Sequence, residues 1–416
     1  MQGCDFINDF YTAGAMMRTG QGTGIYPPVA AASFIGAPFD NFCKQLLPYL
    51  PTQTVAIYFY SPLVALLFAP FSLLPAPAAL VLFQVIMALV LLLVGLLLNG
   101  RNFKKAFDFV FMAALFCPVF HTLLIGQLGI VFGLPPLALA YYCLIKNKHF
   151  AAGLAFSLLA LKPQYMPTAL LVCGALFLCR KPKTTLGLLL GLVAFCLINV
   201  IVCGPNLFMA WLHSFKMFDS VYANPIYGFG EHLVVCLPAV LLQFFPHALR
   251  ESVKLPVYGL SAVIGLFALW RSFILLRFAI GQDSTKGGQV GGDTAELNLH
   301  FNQAIGLVMS LGLVVLTLVV PHFLFYDLCA FVLIGRIAFQ DFYPLDLAIP
   351  IRTMRAAMWW VSNIYFILFM FAPIGPLKQW FPLVLVAFYA YFFYAMIIQM
   401  SEFQARAGRN LSGLKD

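Results

Sequence analysis

The chain reads as an all-α polytopic membrane protein, and three observations lead there. Hydrophobic residues make up 62% of the 416 positions and charged residues only 9%, whereas a soluble domain carries about 25% charged residues. Apolar runs approaching the roughly 20 residues needed to cross a bilayer recur along the whole chain. Lys and Arg fall in small groups between those runs, which is the pattern of topology signals. The net charge of +9 is therefore not gathered into a nucleic-acid-binding face, and no nucleic-acid partner is expected. Ten cysteines lie mainly inside the apolar runs without a CxxC pair, as small hydrophobes rather than as a disulfide framework or metal site.

A single integral membrane domain is expected over 1–416, opening on a polar stretch from Met1 to Tyr26 that sets Asp5 and Asp9 among aromatics. Pro27, Pro28, Pro38, Pro48 and Pro51 make the next segment too broken to span. Residues 57–75, IYFYSPLVALLFAPFSLLP, are interrupted at Pro70 and read as lying along the interface, so that 1–75 forms a first extracytoplasmic loop. Residues 76–98 are a clear span ending in the basic cluster RNFKK. Further spans are expected at 106–124, 128–145, 150–162, 164–179, 184–203, 254–276, 302–321, 327–340, 354–373 and 379–400, about eleven in all. Between them, 204–253 is a second large outer loop whose part 233–249 is interfacial, and the Gly-rich 279–300 is a flexible cytoplasmic linker. With 57–75 and 233–249 on the outer face, most of the 24 basic residues fall inside, as the positive-inside rule requires. The same arrangement puts Asp5, Asp9, Gln127, Lys162, the 204–232 loop and Asp327 on one side, outside the cytoplasm.

Polar groups at the ends of membrane helices are costly to bury, so each needs a reason. Asp5 and Asp9 are four apart and share a face if their segment is helical. One can serve as a general base toward a hydroxyl nucleophile; the alternative is a solvated loop or an N-cap. Gln127, after Gly126, can hydrogen-bond a sugar or satisfy a helix end. Lys162, in Lys162-Pro163-Gln164, is a fixed cation at a helix break that suits a phosphate leaving group, or else it snorkels to the interface. Gln164 adds a second amide. In Pro321-His322-Phe323-Leu324-Phe325-Tyr326-Asp327, His322 can meet a phosphate or simply sit at the interface, and Asp327 can cap a helix. His213, Lys216, Asp219, Glu231 and His232 of the outer loop are further polar groups that could meet a head group. No zinc-protease, nucleophile-elbow, phosphate-loop or carboxylate-cluster motif is present.

The order of DF-x-N, FYTAG, YSPLVALLFAPFSLLP, IGQLGIVFG, AAGLAFSLLALKPQ and PHFLFYDL, from about residue 5 to 340, resembles glycosyltransferase family 87, polyprenyl-phosphate mannosyltransferase-like membrane proteins. The resemblance implies a GT-C multi-helix bundle in the inner or plasma membrane with an extracytoplasmic active site. It implies an inverting hexosyltransferase, moving a hexose such as mannose from a polyprenyl-phosphate donor to a lipid or glycan acceptor without cofactor or metal. The base expected in the first outer loop maps to Asp5, or to Asp9 by its nearness to FYTAG. Gln127, Lys162 and Gln164 are then expected to line the cavity, with Tyr326 and Asp327 nearby. The family pattern carries a span upstream of this loop, so a first span is expected to be missing here and the loop to be held on one side only. A transporter or flippase of lipid-linked sugars is the competing reading, and a non-catalytic scaffold the third; internal repeats and midplane charges would favour transport, and neither stands out.

Overall fold

A computed structural model of the chain describes residues 4–28, 33–51, 55–217, 233–286, 299–340, 351–371 and 380–412. Among the described residues regular structure is helical, and extended backbone pairs only in an antiparallel bridge between Val234 and Leu324. A π-helical turn, Phe6–Tyr11, runs into α1 (Thr12–Arg18). Two short helices follow, α2 (Pro38–Leu46) and α3 (Pro62–Phe68), and then the long α4 (Ala76–Leu98). The helices α5 (Phe103–Ala114), α6 (Cys117–Ile125), α7 (Leu134–Ile145), α8 (His149–Ser157) and α9 (Met166–Leu178) are short. Beyond them lie α10 (Lys183–Cys203), α11 (Pro205–Ser214), α12 (Leu237–Gln243) and α13 (His247–Lys286). The chain continues through α14 (Leu299–Val319), α15 (Val332–Gln340), α16 (Ile351–Phe371) and α17 (Phe381–Ser412).

The exposed faces of these helices identify their solvent. On α4, Val81, Val85, Leu89 and Leu93 form an i, i+4 row, each more than half exposed, while Ala79, Phe83, Met87 and Leu91 form the buried row. At 1.5 Å per residue the 23 residues of α4 reach about 35 Å, enough for a hydrocarbon core of about 30 Å. A helix apolar on both faces is stable there because lipid, not water, covers the outer row. By contrast α14 is buried along almost its whole length and forms the centre of the bundle. Two polar contacts are made inside the bundle: Thr317 Oγ1 donates to the Val314 carbonyl at 2.8 Å, and the Gly312 carbonyl accepts from Thr168 Oγ1 at 2.9 Å.

Among the described residues five helices are long and apolar enough to cross a membrane: α4, α10, and the apolar stretches within α13, α14 and α17. Several of the other expected spans form shorter helices, and α16 is apolar over Ala356–Leu368. The run expected as one span over 106–124 bends by 81° between α5 and α6. The backbone groups freed at that break are met by one side chain: Asn363 Oδ1 accepts from Cys117 N at 2.7 Å, and Asn363 Nδ2 donates to the Leu115 carbonyl at 3.2 Å. Of the expected 279–300 linker, residues up to Lys286 continue α13 and α14 begins at Leu299; residues 287–298 lie outside the described residues. Residues 57–75 combine extended backbone with α3 and a 3₁₀ turn, Ala69–Leu73, as their prolines dictate.

From Asp5 to Arg18 the opening stretch is helical. Phe6 and Phe10 are one helical turn apart and both fully buried. Phe6 stacks on Phe83 of α4 at 5.0 Å, and Phe10 stacks on Phe68 of α3 at 5.3 Å. Burying each ring contributes about 2–3 kcal/mol, and each aromatic pair about 1 kcal/mol more. The carboxylate-bearing segment is thus wedged into the bundle by its aromatics.

Candidate active site

Gly126 starts the site. It ends α6 in the left-handed region, φ 70°, with Gln127 N returning to the Thr122 carbonyl at 3.0 Å. A Cβ at Gly126 would also lie 2.5 Å from Phe6 Cβ, so the glycine serves both the turn and the docking of the opening helix. A second π-helical turn, Gly129–Gly133, follows, and Tyr165 packs so closely on Gly133 that a Cβ there would fall 2.3 Å from its ring. Such π-helical segments concentrate at functional sites; here one follows Asp5 and the other follows Gln127.

The side chain of Gln127 joins the two halves of the site. Its Oε1 accepts from Tyr60 Oη at 3.3 Å, from Lys162 Nζ at 3.4 Å and from Leu128 N at 3.2 Å. With three donors around the oxygen, the amide orientation is fixed, and Nε2 donates to Asp5 Oδ2.

Lys162 is fully buried, not snorkelling. The helical run through α8 and the 3₁₀ turn Leu158–Leu161 stops there because Pro163 drives the preceding residue out of the helical region, to φ −139°. Its ammonium lies 2.8 Å from Asp327 Oδ1, itself fully buried, donates to Tyr60 Oη at 3.3 Å, and sits over the rings of Tyr60 and Tyr326 at 5.6 and 5.4 Å. Asp327 fulfils the capping expectation at the same time, since its Oδ2 accepts from Leu324 N at 3.1 Å. Tyr165 Oη donates to the Asp327 carbonyl at 2.8 Å, and the backbone just before it is held where Val235 N donates to the Phe323 carbonyl at 2.8 Å.

In front of this network is a cavity of about 400 Å³. Asp5, Asp9, Tyr60, Gln127, Gln164 and His322 supply its polar lining, and Phe59, Phe215, Tyr258, Val320 and Tyr326 are among its apolar and aromatic walls. Lys162 is not itself among the lining residues; its ammonium is fully buried in the pair with Asp327 and meets the lining through Tyr60 and Gln127. Gln164 Oε1 is buried and without a hydrogen-bond partner among the described residues. His213 and Lys216 are outside the lining, although α11 buttresses it through Trp211 Nε1, which donates to the Phe59 carbonyl at 2.8 Å. Asp219, Glu231 and His232 lie outside the described residues.

The two carboxylates are not equivalent. Burial pushes Asp5 up to about 6, an effect that the Gln127 hydrogen bond and the Lys162 charge partly oppose and the Asp327 charge reinforces. Asp9 is raised well above the carboxylate range, first by burial and then by the Asp5 charge, with an opposing hydrogen bond from the Ile57 backbone. Burial and the Asp5 charge thus both favour the neutral form of Asp9, while the Gln127 hydrogen bond and the Lys162 charge favour the ionised form of Asp5. Burial, opposed chiefly by the Lys162 charge, lifts the Tyr60 phenol to about 12, so it stays a neutral donor.

Residues 58–286 match the family model for glycosyltransferase family 87, more than half of the sequence. The chain belongs to glycosyltransferase family 87. None of the curated proteins and none of the solved structures matches it. The stretch matched to family 87 includes Tyr60, Gln127, Lys162 and Gln164, whereas Asp5, Asp9, His322, Tyr326 and Asp327 come from either side of it. The fold brings all of them to one place. Tyr60 and Tyr258 were not legible as site residues, since each lies in an apolar stretch where an aromatic reads as core.

Proposed function

We propose that this family 87 glycosyltransferase moves a hexose, mannose in the first instance, from a polyprenyl-phosphate donor to a lipid or glycan acceptor by a single inverting displacement. The observation that carries the reading is Asp5, a cavity-lining carboxylate titrating near 6, held by an amide whose orientation is fixed. A general base works best when its pKa lies near the working pH. Asp5 accepts the proton of the acceptor hydroxyl as that oxygen attacks the anomeric carbon. The bond from that carbon to the phosphate oxygen breaks, and the polyprenyl phosphate leaves with the electron pair. Inversion requires base and leaving group on opposite faces of the sugar, by analogy with inverting hydrolysis.

Gln164 Oε1, a buried acceptor without a partner among the described residues, suits a sugar hydroxyl. His322, in the cavity wall, is the group we assign to the departing phosphate. Lys162 acts at one remove, orienting Gln127 and Tyr60. The apolar wall of Phe59, Phe215 and Tyr258 is where the first isoprene units would lie. We further propose that all eleven apolar runs cross or enter the bilayer and that the cavity opens outside the cytoplasm. In support, Asp5, Gln127, Lys162 and Asp327 gather near one end of α4, while Arg101, Lys105 and Arg336 gather at the other.

The test is to reconstitute the purified protein with radiolabelled polyprenyl-phosphate mannose and candidate lipid acceptors. New labelled glycolipid is the expected result. Movement of the donor between leaflets without product would instead establish a transporter.

A further inference from the structure

A second cavity, of about 770 Å³, opens at the opposite end of α4 between α5, α15 and α16. Phe83 of α4 touches Phe6 beside the first site, and Asn99 at the end of α4 lines the second. Sixteen residues of helix separate them by about 24 Å, most of a hydrocarbon core of about 30 Å. The two cavities therefore belong to opposite faces of the membrane.

The second cavity is graded in polarity. Arg336, Lys105, Asn99 and Asp108 mark one end, and Phe109, Met112 and Phe116 line the path toward the break between α5 and α6. Arg336 is fixed there, since its Nε donates to Asn99 Oδ1 at 3.0 Å and its Nη2 to the Leu98 carbonyl at 2.7 Å. Among the described lining residues two cations, Arg336 and Lys105, stand beside one carboxylate, Asp108. Trp359 and Trp360 stand at the wall, 5.0 Å apart and edge to face, and Trp359 Nε1 is buried without a hydrogen-bond partner among the described residues. Paired tryptophans of this kind mark the membrane interface. The outer row of α5, Phe103, Phe107 and Phe111, is more than 60% exposed, so lipid already covers the helix that forms one wall.

We propose that this cavity is a binding site for an anionic phospholipid of the leaflet opposite the Asp5 cavity. Its phosphate would sit between Arg336 and Lys105, the Trp359 indole would donate to a phosphate or ester oxygen, and an acyl chain would follow Phe109 and Met112 inward. A mouth bearing Arg336 and Lys105 and leading into an apolar cleft is complementary to a charged head on an apolar chain. A free anion would use only the mouth.

The full-length protein is reconstituted in nanodiscs of equal phosphatidylglycerol and phosphatidylcholine, and the lipids that stay bound on extraction are read by native mass spectrometry. Wild type should retain phosphatidylglycerol preferentially. Lys105→Ala should lower that preference about fivefold, the effect of one cation near an anionic head group, and Trp360→Ala should shorten retention of either lipid. Lys104→Ala, altering a neighbouring lysine outside the cavity, should leave the preference unchanged. Equal retention of the two lipids by wild type would overturn the proposal, as would equal losses in the Lys104 and Lys105 variants. Displacement of phosphatidylglycerol by inorganic phosphate alone would also overturn it, by showing a simple anion site.

Discussion

The closed pair of Lys162 and Asp327 offers a perturbation whose size follows from its geometry. Both side chains have no exposure and lie 2.8 Å apart. Replacing Lys162 by Met leaves a buried carboxylate with Leu324 N as its remaining side-chain hydrogen bond. Replacing Asp327 by Asn keeps an acceptor for Leu324 N but strands the ammonium. Breaking a buried pair from one side costs about 3–5 kcal/mol, so each single variant should be destabilised by that order. In the double variant neither charge is stranded, and the amide oxygen still meets Leu324 N. Its loss should fall well short of the sum of the two singles, with a coupling of about 2–3 kcal/mol. Unfolding in mild detergent can be followed by reaction of a thiol dye with the buried free cysteines, among them Cys4, Cys43, Cys236 and Cys329. Additive losses, or single variants as stable as wild type, would show that the pair is solvated, and the positioning role given to Lys162 would then lose its basis.

The pH behaviour of Asp5 gives two further expectations. Transfer should rise as pH increases through about 6, as the base ionises. Stability should run the opposite way, because the folded carboxyl holds its proton up to about 6 whereas the unfolded one releases it near 3.8. The folded state binds more protons within that window, so this group's contribution falls as pH rises across it. Asp5→Asn should therefore stabilise the protein at neutral pH but not below about pH 4, as melting curves at the two pH values would show. Tyr60→Phe removes one donor to Gln127 and should lower transfer up to about tenfold, with the melting temperature little changed; an unchanged rate would remove Tyr60 from the site. Gly126→Ala places a Cβ against Phe6 at a positive φ and should destabilise by more than the 1–2 kcal/mol of the backbone term alone. If that variant matched wild type in stability and transfer, the docking of the opening helix would not depend on the turn.

Much of this site was legible in the sequence because polar residues are conspicuous in an apolar chain. Asp5, Gln127, Lys162 and Asp327 stand out by cost alone, and the fold brings them together from positions up to 322 residues apart. What periodicity could not show was partnership. Lys162 and Asp327 each looked solitary, and only the tertiary fold reveals that each neutralises the other. Tyr60 was hidden because its role depends on where the hydroxyl ends, not on its apolar surroundings. The helical character of Phe6–Tyr11 was obscured because its aromatic anchors look the same in a loop. Among the helices, composition marked the apolar runs well. It did not mark their breaks, because the 81° bend at Leu115–Phe116 depends on Asn363 from a helix nearly 250 residues later.

The central claim is that Asp5 takes the acceptor's proton, and comparing Asp5→Asn with Asp9→Asn tests it most directly. Both are reconstituted with labelled polyprenyl-phosphate mannose and acceptor lipid, and glycolipid formation is measured at pH 7.5. Asp5→Asn should transfer about 100- to 10,000-fold more slowly than wild type, the usual contribution of a general base. Asp9→Asn, which replaces a carboxyl that favours its neutral form, should keep most of the activity. Full transfer by Asp5→Asn beside an inactive Asp9→Asn would contradict the account and move the base to Asp9.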